Sequence, residues 1–89
     1  MKSATIVITN ENGLHARPAS LLVKCTSRFK SKITITSNGE TIDAKSIMGI
    51  ILLAAEKGRT LLFEIDGPDE QEALNTLLET LREKNFCEA

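Results

Sequence analysis

The chain has 89 residues, 42% of them hydrophobic, and a formal net charge of −1 with acids and bases interspersed. That balance excludes a general nucleic-acid binder, which carries a basic excess. With no Trp, no Tyr and three Phe, no aromatic platform for stacking bases is available either. The longest apolar run, Ile50 to Ala55, is too short to span a bilayer. The length is that of one domain, residues 1–89. One Lys followed by strand-like alternation predicts no signal peptide. Cys25 and Cys87 form neither a CxxC pair nor a metal-ligand spacing, which suits a reduced, cytoplasmic protein.

In chain order, residues 4–9 alternate and are β-branched, which predicts a strand. Asn10 to His15 carries an Asn-Glu-Asn-Gly turn signal. A helix is predicted from about residue 16 to 28. Pro18 is tolerated in its first turn, and Leu21, Leu22, Cys25 and Phe29 recur at helical spacing. Residues 32–37 set Ile33 and Ile35 against Thr34 and Thr36, a second strand. Asn38-Gly39 is a strong hairpin signal, and a short third strand follows at 40–43. Ser46 can cap a helix from Ile47 to about Ala54, ended by Lys57-Gly58. Residues 60–66 turn Leu61, Phe63 and Ile65 inward as a fourth strand. After Gly67-Pro68, Asp69 and Glu72 resemble a capping box. Ala73, Leu74, Leu77, Leu78 and Leu81 form the stripe of a last helix, with Arg82 and Lys84 suiting its C-terminal end. The order β-α-β-β-α-β-α, with helices covering one face of a sheet, is an α+β domain close to the split βαβ arrangement. That architecture alone assigns no function.

His15, the one histidine, sits in Asn12-Gly13-Leu14-His15-Ala16-Arg17-Pro18, at the junction of a glycine-containing loop and a helix N-terminus. Free backbone N–H groups and the helix dipole favour a negative charge there. The N–H groups of Ala16 and Arg17 are candidates to cradle an anion. The Arg17 guanidinium offers a fork of donors suited to phosphate oxygens. An imidazole titrating near neutrality is a usable nucleophile. Phosphoryl transfer is mostly positioning plus charge stabilisation, so this set suffices if a partner brings the phosphoryl group. Against this stands the plainer reading of an incidental surface histidine. A metal site lacks a second His or a paired Cys, a nucleophile elbow is absent, and no nucleotide loop is visible.

Gly13-Leu14-His15-Ala16-Arg17-Pro18-Ala19, followed by Lys45-Ser46-Ile47-Met48-Gly49-Ile50, resembles the HPr family. These are the histidine-containing phosphocarriers of the bacterial sugar phosphotransferase system, and the likeness spans essentially the whole chain. The resemblance implies a four-stranded antiparallel sheet covered on one face by three helices, an open-faced sandwich. It implies a carrier that is a substrate of partner enzymes and not itself an enzyme, and that needs no cofactor. It also implies that His15 accepts a phosphoryl group at Nδ1 from enzyme I, with phosphoenolpyruvate as source. His15 would donate it to IIA domains of sugar permeases, with Arg17 assisting.

On its residues alone Ser46 is an ordinary N-cap. The Ser-Ile-Met-Gly stretch resembles the Gram-positive branch of the family, in which the matching serine is phosphorylated by an ATP-dependent kinase. That branch implies a kinase/phosphorylase and a catabolite-control transcription factor as further partners. Leu14, Ile47, Met48 and Ile51, ringed by Arg17, Ser20 and Lys24, are expected to form a transient docking patch, whereas Ile50 and Leu53 are expected in the core. Lys24 and Arg28 read equally well as a solvated helix face. Some relatives carry glycine where this chain has Ala54 and Glu56. Cys25 is expected to pack as a small apolar residue. The chain is expected to be monomeric, with neither nucleic-acid binding nor membrane insertion. Two alternatives stay open: a regulatory module acting on a transcription factor, and a nitrogen-branch phosphocarrier.

Overall fold

The computed structural model describes residues 1–8, 16–53, 58–83 and 87–88. The elements run β1 (Lys2–Ile8), α1 (Ala16–Thr26), β2 (Lys32–Ser37), β3 (Glu40–Asp43), α2 (Ile47–Leu53), β4 (Thr60–Asp66), α3 (Glu70–Glu83) and β5 (Cys87–Glu88). All strand pairs are antiparallel, in the spatial order β3-β2-β4-β1-β5. β4 lies between β1 and β2, as a split βαβ unit requires. The expected four-stranded sheet and three helices are therefore present. β5 adds two residues along the outer edge of β1, Ile8 facing Cys87, and so shortens the unpaired edge.

Alternation decides which face is buried. Ile6, Ile8, Ile33, Ile35, Leu61, Phe63 and Ile65 are at most 1% exposed. They form one core with Ala19 and Leu22 of α1, Ile50 and Leu53 of α2, and Ala73, Leu77 and Leu81 of α3. Each large side chain so buried contributes roughly 1.5–3 kcal/mol against exposure to water. The opposite face is solvated and threonine-rich, with the Thr36 and Thr41 hydroxyls paired at 2.8 Å.

Local departures from the sequence reading have local causes. β1 starts at Lys2, not residue 4, because Lys2 and Ser3 pair with Ile65 and Glu64. Thr9, the Asn10–His15 turn, residues 54–57 and Lys84 lie outside the described residues. α1 stops at Thr26 because the chain tightens there. Arg28 N–H bonds the Cys25 carbonyl and Phe29 N–H the Thr26 carbonyl, both at 3.3 Å and both three residues back. The hairpin Asn38-Gly39 takes positive φ at both residues, 51° and 82°, the type I′ geometry that this pair favours. The Asp69–Glu72 capping box is replaced by long-range bonds to Asp69 and by a local bond from Gly67 to Glu70, three residues on. The Asp69 carboxylate accepts the N–H groups of Lys30 (2.8 Å) and Ser31 (2.9 Å) and the Ser31 hydroxyl, and the Glu70 carboxylate accepts Gly67 N–H at 3.2 Å.

Candidate functional site

α1 opens at Ala16, the residue that follows His15, and places Arg17 in its first turn. Leu14 and His15, and the side chain of Arg17, lie outside the described residues. Farther along α1, Ser20 is half-buried and Lys24 exposed, while Ala19 and Leu22 turn inward. At the helix end the exposed Arg28 lays its guanidinium over the Phe29 ring, 5.9 Å from the centroid. The flank of α1 is thus basic, whereas the outer side of α3 carries exposed Glu72 and Glu79.

Ser46 is held from three directions. Its N–H donates to the Asp43 carbonyl at 3.0 Å, and its carbonyl accepts Ile50 N–H at 3.1 Å. Its Oγ accepts Gly49 N–H at 3.1 Å, the bond of an N-cap residue. The expected cap therefore exists. Asp43 Oδ1 accepts Lys45 N–H at 2.9 Å, and Lys45 Nζ reaches the Phe29 carbonyl at 2.9 Å.

On α2, Ile50 and Leu53 turn inward and Ile47 and Met48 outward as expected, but Ile51, expected in the exposed patch, packs partly against the core. Ile50 and Leu53 are in the core, at 0% and 2% exposure. Ile47 is 41% exposed and Met48 64% exposed, with Ile51 half-buried beside them. The sequence reading missed Leu52, which is 78% exposed, more than any other large hydrophobic side chain among the described residues. The signal was present: positions 47, 48, 51 and 52 share one side of a helix. Together they form an apolar stripe along α2, a helix that packs against α1. Cys25 is buried as expected, and Thr80 Oγ1 lies 3.8 Å from its Sγ. Among the described residues no three His, Cys, Asp or Glu converge on a metal position, and no helix is long and apolar enough to cross a membrane.

Residues 2–83 match the family model described as the PTS HPr component phosphorylation site. The chain is 49% identical over 71 residues to the phosphocarrier protein HPr of Cupriavidus necator, covering 80% of each chain. It is 45% identical to that of Xylella fastidiosa over 93% of this chain and 92% of the other. Its fold is similar to the crystal structure of HPr from Thermoanaerobacter tengcongensis, with a TM-score of 0.88, 42% identity and 94% of both chains covered. The two sequence relatives are proteobacterial, so the Gram-positive affinity read from Ser46 to Gly49 is not supported. Four motif residues say little about lineage beside identity spread over the whole chain.

Proposed function

This chain belongs to the HPr family, the phosphocarrier proteins of the phosphotransferase system, which carry phosphate and are not enzymes; from that premise we propose that His15 is its phosphoryl acceptor. The observation that carries the reading is the start of α1 at Ala16. A phosphoryl group on the preceding histidine would meet the positive end of an eleven-residue helix. In the transfer an imidazole nitrogen attacks phosphorus while the bond from phosphorus to the donor breaks. The N–H groups of Ala16 and Arg17 and the Arg17 guanidinium hold the equatorial oxygens. Enzyme I supplies the group from phosphoenolpyruvate, and IIA domains of sugar permeases remove it, all in the cytoplasm. Ile47, Met48, Ile51 and Leu52, with Leu14, Ser20 and Lys24, form the face that these partners meet in turn. An apolar centre with a basic rim suits a transient contact with acidic proteins.

Ser46 is the regulatory position in this reading. A phosphate there is tolerated by the cap, but it adds negative charge beside the docking stripe and repels an acidic partner. A kinase/phosphorylase and a transcription factor would then be the partners of that state.

The direct test incubates the protein with enzyme I, magnesium and phosphoenolpyruvate. The expected result is an acid-labile gain of one phosphoryl mass that His15→Ala abolishes. No labelling of the folded wild-type protein by a competent enzyme I sinks the carrier reading. A Ser46→Asp protein that accepts phosphate at the wild-type rate removes the regulatory one.

A further inference from the structure

The segment that leads into α2 is tied to the far end of α1. Thr26, the last residue of α1, is fully buried. Its Oγ1 lies 2.9 Å from the Ala44 carbonyl and 3.2 Å from the Val23 carbonyl, so its one proton goes mainly to Ala44. Ala44 is itself fully buried, and its N–H donates to the Ile33 carbonyl of β2 at 2.9 Å. The next residue repeats the attachment through Lys45 Nζ and the Phe29 carbonyl. Ser46 follows and caps α2.

α2 has seven residues, too few to keep a direction by its own hydrogen bonds. Its orientation rests on Ile50, on Leu53 and on the anchored segment before it. Valine at position 26 would keep the shape but leave the Ala44 carbonyl short of a donor in a dry site.

We propose that Thr26 and Lys45 are positioning residues for partner docking. They hold the Ile47, Met48 and Leu52 stripe at a fixed angle to α1, so a phosphoryl donor protein meets a preformed surface without either residue having to touch it. The inference rests on the carrier reading above. A preformed surface lowers the ordering cost of association, so loosening it weakens docking and leaves the chemical step alone.

The test measures kcat and KM for the full chain as acceptor of phosphate from enzyme I, well below the melting temperature. Thr26→Val is expected to raise KM roughly three- to tenfold with kcat within about twofold, as lost preorganisation requires. Thr26→Ser, which keeps the hydroxyl, returns KM to wild type. Lys45→Met raises KM by a similar factor, and the effect persists at about 0.5 M salt, where exposed charges are screened. Leu78→Ala, a destabilised control in α3, leaves KM unchanged. An unchanged KM in Thr26→Val, no rescue by Thr26→Ser, or an equal rise in Leu78→Ala overturns the inference. So does a Lys45→Met effect that salt removes. Should Thr26→Val fail to fold, Lys45→Met and Thr26→Ser decide the matter. Absence of phosphate transfer to the wild type is a different outcome, and it sinks the carrier reading instead.

Discussion

Ser31 and Asp69 meet across 38 positions of chain, with the Asp69 carboxylate accepting both the N–H and the hydroxyl of Ser31. The contact fastens the entry of β2 to the start of α3. Gly67, two residues before Asp69, lies so close that a Cβ there would stand 2.6 Å from Ser31 Cα. Glu70 completes the corner by taking the Gly67 N–H and pairing with the Met1 amino group at 3.1 Å.

The corner makes the fold acid-sensitive. The Ser31 hydroxyl, first, and the Lys30 N–H hold the Asp69 carboxyl down at about 2, against an ordinary 3.8. Glu70 is lowered as well, by the Gly67 N–H and then by the Met1 amino group. Both groups have depressed folded-state pKa values. Their contribution is complete above the ordinary carboxylate range and is lost as pH falls through 3.8 towards 2 for Asp69. Thermal melting from pH 7 to pH 2 is expected to show Tm falling across that window. Asp69→Asn is expected to melt lower at neutral pH and to show a shallower fall in acid.

Gly67→Ala is expected to destabilise by roughly 1–3 kcal/mol, the usual cost of forcing atoms into a filled site. Ser31 Cα and Oγ would both stand 2.6 Å away, and the backbone atom cannot swing aside as a side-chain tip can. Urea unfolding measures it, with a lowered midpoint and an unchanged slope. A variant as stable as wild type would show that the corner can open without cost.

Ser46→Ala removes the acceptor of the Gly49 N–H and is expected to lower stability by about 1 kcal/mol. Ser46→Asp keeps an acceptor at the helix start and should stay within a few tenths of a kcal/mol of wild type. Comparing the two by denaturant unfolding separates the cap from any effect of charge on partners.

Leu52→Asp is expected to raise the Kd for enzyme I about tenfold, or roughly 1.4 kcal/mol, as loss of a docking contact would. Because Leu52 is 78% exposed, Tm should move by no more than a degree or two. Calorimetric titration and a melt on the same sample measure both. Unchanged affinity would remove α2 from the docking face.

Short-range physics made much of this protein legible in its sequence. Ile33, Ile35, Leu61, Phe63 and Ile65 declare their strands and inward face because side chains alternate along a strand. Asn38-Gly39 declares its hairpin because few residue pairs accept positive φ twice. Ser46 declares its cap because the donor it satisfies lies three residues away. The His15 motif that carries the family resemblance is likewise continuous in sequence. Tertiary structure alone decided the partners of Asp69, Thr26 and Lys45 and the pairing of Cys87 with Ile8. Each depends on which distant segment returns to the same place. Asp69 has local donors that a capping box would use, yet it bonds Lys30 and Ser31, because the sheet brings the entry of β2 beside the start of α3.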